Sequence, residues 1–411
     1  MYTFLAAFIN KKLNIDAHYF LKGGFWMSVG QGATIFFGLI STALFAYFLN
    51  EHDYGVYRYL IGIAVILSSF SLTGLGQSII QTAAKKMEGF YIATIKVNFL
   101  YGLAITVAGL VGFGYYWLNE NSTLAIGCLL IAVLQPIIST YQNTNSLLQG
   151  SQRFRELTIL NITRSILSTA VGITTLLVTQ NVLFLFLSYL LTNALLNITS
   201  HLIFKPKTIT IPNEIFNKYL AYAKHTSIRN FAANIAQRAD TIIIFTQLGA
   251  AELALYSIAI IIPEQIKGSA KNLAALLLPK YAQHENQANV IKSIPKRSLQ
   301  LFILLVTITI VYILVIPLIY QLLFPKYPQA AFLSQLLALS FPAMVAILPG
   351  SILQSQLQDK KLYKSQILET VATISLSLIL TLKFGVVGAI LSKVTTRYLT
   401  SVYHYLLVYR D

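Results

Sequence analysis

The sequence predicts an all-α polytopic membrane protein of about 12 transmembrane helices, arranged in two six-helix lobes related by an internal repeat. Three observations predict it. Of 411 residues, 56% are hydrophobic and only 11% charged, against about 25% charged residues in a soluble domain. Apolar runs recur at the length of about 20 residues that a helix needs to cross a hydrocarbon core. Two pairs of motifs between those runs echo each other in the same order.

Apolar windows bounded by loop signals place the spans near 25–49, 58–82, 93–118, 123–147, 157–179, 182–204, 226–248, 253–279, 298–324, 331–356, 366–382 and 385–408. The first 22 residues hold one short apolar patch, "FLAAFI", before Lys11 and Lys12, and are read as a cytoplasmic lead-in. The single cysteine, Cys128, allows no internal disulfide and no cysteine-based metal cluster. Connections alternate in character. "NEHD", "NENS", "TQN", "LGAAE", "FPKYPQ" and "LKFG" are nearly free of positive charge, whereas "AAKKMEG", "GSQRFRE" and "DKKLYK" are basic. Of the 30 Lys and Arg, 19 lie in the two termini and the basic loops, and three (Arg58, Lys326, Lys383) on the other side. The positive-inside rule then puts both termini in the cytoplasm. The net charge of +16 is largely this topology signal, spread over short loops, and no nucleic-acid-binding face is expected.

The repeat pairs "LNEHDYGVYRYLIG" from Leu49 with "LGAAELALYSIAII" from Leu248, and "LQGSQRFRELTIL" from Leu148 with "LQDKKLYKSQIL" from Leu357. Pro136 and Pro342 occupy matching places in spans 4 and 10. The expected division is an N-lobe over 1–204, a cytoplasmic linker over 205–225 and a C-lobe over 226–411. In transporters, substrate sites commonly lie where such repeats meet.

With "FLNEHDYGVYRYL" after span 1, "LTGLGQSIIQTAAKK" ending span 2 and "LLQGSQRFRELTI" after span 4, the chain resembles the oligosaccharide flippase family, the polysaccharide-transporter branch of the MATE-like (MOP) superfamily. The two-lobe layout extends that resemblance over essentially the whole chain. It implies two six-helix bundles in a V, with spans 1, 2, 7 and 8 lining a central cavity. It also implies a substrate, an undecaprenyl-pyrophosphate-linked oligosaccharide repeat unit of O-antigen, capsule or exopolysaccharide type, moved from inner to outer leaflet of a bacterial cytoplasmic membrane. A polysaccharide polymerase and glycosyltransferases are the partners such a pathway implies.

Eight basic residues fall inside the expected spans: Lys96, Arg164, Arg229, Arg238, Lys267, Lys271, Lys393 and Arg397, against three acidic ones, Asp240, Glu264 and Glu369. Charge near a bilayer centre is costly, so such residues face a cavity or a partner. At about 100° per residue, span 7 gathers Thr226, Arg229, Asn230, Asn234, Gln237, Arg238, Asp240 and Thr241 into one polar arc. Arg238 and Asp240 project too far apart across it to pair directly. In span 8, Glu264, Lys267 and Lys271 share a face below Pro263; a Glu264–Lys267 pair would leave Lys271 as surplus positive charge. Span 12 aligns Lys393, Thr396, Arg397, Thr400 and His404, and Glu369 of span 11 is the expected partner in a structural network. Lys96 and Arg164 lie near enough to the inner edge to snorkel. Spans 1 and 2 supply the amides Gln31, Gln77 and Gln81.

The expected substrate-binding set is therefore Arg238, Lys271, Lys267, Arg229, Asn234, Gln237, Gln31, Gln77 and Gln81. Arg and Lys suit phosphate, and amides suit sugar hydroxyls. A cation or drug antiporter of the MATE type is the rival; it needs a committed acidic ion site, for which only Asp240, Glu264 and Glu369 are available. A membrane-embedded polymerase or ligase is the second rival, and it needs a large catalytic outer loop where every loop here is short. No D-x-D, H-E-x-x-H or Walker A pattern occurs and the six histidines show no ligand spacing, so no enzyme, metal site or cofactor is expected. Energy would come from a proton or sodium gradient, coupled at Asp240 or Glu264, or from substrate supply.

Overall fold

A computed structural model describes residues 17–206, 211–275, 287–350 and 359–409. Every regular element among them is helical: α1 Ala17–Phe48, α2 Glu51–Ser68, α3 Leu75–Ala84, α4 Gly89–Leu118, α5 Ser122–Tyr141, α6 Thr144–Gly150, α7 Phe154–Val178, α8 Val182–Phe204, α9 Asn213–Leu248, α10 Ala250–Ala275, α11 Gln287–Leu323, α12 Pro328–Ala338, a 3₁₀ turn Pro342–Ala346 and α13 Asp359–Tyr409. Among the described residues, eight helical stretches are long and apolar enough to cross a membrane. The last, Tyr363–Val408, contains two of the expected spans. It divides at Gly385 (φ 60°, ψ −142°), a conformation open only to glycine. The expected span 226–248 and the described part of 253–279, up to Ala275, are also helical, but their charges set them apart from the eight.

Three expected elements differ. Span 58–82 is not one helix: α2 ends at Ser68, and a turn through Ser69–Gly74 separates it from α3. Span 4 breaks at Gln142–Asn143, beyond Pro136. The linker 205–225 is not free chain, because from Asn213 it is the first part of α9. Tyr219 and Ala223 enter a core with Leu72, Leu75, Ile79, Ala83, Phe90, Tyr91 and Leu147. Ser78 Oγ donates to the Tyr219 carbonyl at 3.0 Å, and the Gly74 amide to Ser227 Oγ at 2.9 Å. Alternating apolar and basic residues hid this helix in a charged loop.

The helices cluster into two units. Unit 1 comprises residues up to Phe48 together with Leu60–Asn234, and unit 2 comprises Leu49–Tyr59 together with Ile235–Asp411. Helices α2 and α9 therefore each contribute to both. In unit 1, α4 packs along α5, with Asn98 Nδ2 donating to the Ser139 carbonyl at 2.8 Å. Helix α1 lies on α7, where Thr158 Oγ1 donates to the Trp26 carbonyl at 2.8 Å. In unit 2, the Leu49–Tyr59 strip is buried against the start of α10. A Cβ at Gly55 would stand 1.8 Å from the Ala250 carbonyl oxygen, so only glycine permits this approach. Tyr59 stacks on Phe245 at 3.7 Å between ring centroids.

Proline inside a helix removes the N–H that would bond the carbonyl four residues back. Each of three such prolines has its freed carbonyl taken by a neighbouring helix. Pro136 frees Ala132, which accepts from Thr106 Oγ1 at 2.9 Å. Pro263 frees Ala259, which accepts from the Tyr320 hydroxyl at 3.0 Å. Pro317 frees Ile313, which accepts from Gln335 Nε2 at 2.8 Å. Lipid itself offers no donor to these groups, so a partner from the protein is what satisfies them here.

Candidate functional site

The charges of unit 2 converge from three helices. Asp240 of α9 is buried, with 5% of its side chain exposed. Its Oδ1 accepts the Thr241 amide at 2.7 Å, and its Oδ2 accepts the Tyr256 hydroxyl of α10. Lys393 Nζ of α13 lies 2.7 Å from the same Oδ2. Glu264 of α10 pairs with Arg397 of α13, lies 3.9 Å from Lys393 and 4.0 Å from Lys267. Arg397 Nη1 also donates to Ser340 Oγ at 2.7 Å, which anchors it to the end of α12. Lys393 and Arg397 thus meet Asp240 and Glu264, and not Glu369 as the sequence suggested. Packing brings α9 and α10 to that stripe of α13, which proximity in sequence did not reveal.

The ion pairs join three cations to Asp240 and Glu264, and a third acid, Glu369, lies near enough to act on Lys267. The cations differ in access: 16% of the Lys393 side chain and 12% of Arg397 are exposed, against 45% of Lys267. Among the described residues the one ion pair of Lys267 is the longest of these contacts, at 4.0 Å, and Glu369 adds a weaker attraction. Its ammonium is the most exposed of the three cations.

Of the other expected residues, Arg238 is half-buried and engaged by the fold, two positions before Asp240 in unit 2. Gln237 is exposed. Asn234 belongs to unit 1, where its Nδ2 donates to Ser69 Oγ at 3.0 Å. Arg229, Gln31, Gln77 and Gln81 also belong to unit 1, and the last two are exposed on α3. Arg229 is half-buried and meets no carboxylate among the described residues. The Lys271 side chain lies outside the described residues.

Unit 1 contains a site that sequence reasoning passed over. Arg164 of α7 does not snorkel. Its Nη1 donates to Asn145 Oδ1 of α6 at 3.0 Å, and its Nη2 to Asn197 Oδ1 and Ser200 Oγ of α8 at 3.0 and 2.9 Å. Asn145 in turn donates to Asn161 Oδ1 at 3.1 Å, and Asn197 to the Asn193 carbonyl at 2.8 Å. Beside this frame, the buried Tyr91 hydroxyl bonds Thr144 Oγ1 at 3.0 Å and His201 Nδ1 at 2.8 Å. The usable signal was the recurrence of asparagines at 145, 161, 193 and 197 in otherwise largely apolar spans that include Arg164.

Apolar helices around an ion-paired interior define a multi-pass membrane protein, and its fold is that of the MATE-type transporters of the MOP superfamily. A MOP superfamily transporter from Pyrococcus furiosus, reported with a binding pocket of reverse polarity that suggests a different function, matches with a TM-score of 0.66 at 14% identity, covering 95% of this chain and 94% of that one. The lipid II flippase MurJ, in an inward closed conformation, matches with a TM-score of 0.67 at 12% identity, covering 93% and 87%. An outward-facing multidrug resistance MATE transporter matches with a TM-score of 0.64 at 14% identity, covering 95% and 94%. Among curated proteins no sequence match was found. Residues 20–268 match the family model described as polysaccharide biosynthesis protein, and the chain belongs to that family.

Proposed function

We propose that this protein is a flippase that carries a polyprenyl-pyrophosphate-linked oligosaccharide from the inner to the outer leaflet of a bacterial cytoplasmic membrane. The observation that carries the reading is the charge balance of unit 2. Two carboxylates, Asp240 and Glu264, are each engaged by basic side chains, and the most exposed charge of the cluster is a cation, Lys267. A cation or drug antiporter would need the opposite balance, with an acid kept open for the ion. Coupling to a proton or sodium gradient at Asp240 or Glu264 would first have to displace Lys393 or Arg397. Family membership supports a place in polysaccharide synthesis, and the MurJ likeness supports a fold able to serve a lipid-linked substrate. Both termini are assigned to the cytoplasm from the distribution of Lys and Arg.

The test is charge reversal at Lys267, with Arg238 and Lys271 reversed alongside it. Lys267→Glu should abolish export of the lipid-linked repeat and let it accumulate on the inner leaflet, with protein abundance in the membrane unchanged. Wild-type export in Lys267→Glu, Arg238→Glu and Lys271→Glu alike would overturn the reading.

A further inference from the structure

Arg164 is a guanidinium held inside a membrane-spanning unit without a carboxylate. Among the described residues no Asp or Glu oxygen lies within 4.0 Å of it, whereas Lys267, Lys393 and Arg397 of unit 2 each have one. An uncompensated charge in such a place is expensive, and a carboxylate is the usual remedy. Unit 1 offers three neutral oxygens instead, and these fix the plane of the fork. Arginine has five N–H donors. The three bonds leave one Nη1 N–H and the Nε N–H over, and Nε is buried with no acceptor. Water does not reach it.

We propose that Arg164, framed by Asn145, Asn197 and Ser200, is an anion site of unit 1 that takes a phosphate-type oxyanion. The frame takes both Nη2 hydrogens and one of Nη1, so the guanidinium is held preorganised and meets an oxyanion oxygen through its remaining Nη1 N–H, with its full charge behind it. Asn145 is the half-buried member of the frame, whereas Asn197 and Ser200 are buried, so the site opens at Asn145. The absence of a resident carboxylate keeps the charge available to a visitor. The same chemistry is presented by free phosphate and by the headgroup of an anionic lipid. The site does not depend on the flippase reading.

The experiment uses the full-length protein, in detergent with inorganic phosphate or with chloride at equal ionic strength, and in nanodiscs of phosphatidylcholine with or without phosphatidylglycerol. Wild type should gain about 2 °C or more in unfolding midpoint with phosphate but not chloride, or with phosphatidylglycerol alone. The first result assigns a soluble anion and the second a lipid headgroup. Either gain should vanish in Arg164→Gln. It should also vanish in Asn145→Asp, which supplies an internal counter-ion and keeps the protein folded if Arg164→Gln does not. An anion response retained in Asn145→Asp overturns the proposal, as does a wild type that responds to none of the four conditions or equally to chloride and phosphate.

Discussion

Unit 1 and unit 2 both bury arginine, and they treat it differently. Arg397 sits against Glu264 and Ser340, so its charge is spent within the unit. Arg164 sits against two asparagines and a serine, so its geometry is fixed while its charge is not cancelled. An ion pair ties helices together and presents little field outside. A guanidinium in an amide frame holds its helices almost as firmly and still presents a full charge. One unit thus pairs its arginine with a carboxylate, and the other leaves its arginine among neutral oxygens.

Removing the acid from unit 2 should make it resemble unit 1 at the largest cost. Glu264→Gln leaves Arg397 without its counter-ion, and truncating one partner of a buried pair costs about 3–5 kcal/mol. With about a third of Glu264 exposed, the lower end is expected. A loss of folded protein on heating in detergent would show it, and an unfolding midpoint equal to wild type would erase the contrast. Next in size come the proline clips, which the two units share. Thr106→Val in unit 1 and Tyr320→Phe in unit 2 each strand a carbonyl that a proline has freed, at about 1–3 kcal/mol apiece. Similar losses would place the difference between the units in their charges and not in their helix packing. Smallest in stability is Lys267→Gln, since the exposed ammonium contributes little to the fold. Its unfolding midpoint should match wild type within error while flipping falls at least tenfold, which a transport assay with fluorescent lipid-linked sugar would read.

Where an apolar window is uninterrupted, the helices lie where the sequence put them. Spans 157–179 and 182–204 correspond to Phe154–Val178 and Val182–Phe204 almost to the residue. The break at Ser69–Gly74 was hidden because Phe70 and Leu72 keep that window apolar while the backbone turns. Partner choice was the least legible feature. Helical geometry put Glu264 and Lys267 on one face, but it has no means of telling which acid of another helix will meet Lys393. That depends on how α9, α10 and α13 pack, and Glu369 was only the nearest candidate along the chain. Arg164 was misjudged for a related reason, since its depth was estimated from the span boundary and its frame is built from two other helices, α6 and α8.

The Leu49–Tyr59 strip has a consequence in time. Gly55 rests on Ala250 and Tyr59 on Phe245, about 200 residues further along the chain. At a synthesis rate of about 5–20 residues per second, the strip waits roughly 10–40 s for its neighbours to be made. During that wait Tyr59, buried in the finished protein, lacks the Phe245 ring that stacks on it. A chain ended after Asn234 would keep that vacancy permanently, so the first half is expected to be degraded when produced alone and rescued when residues 235–411 are produced beside it.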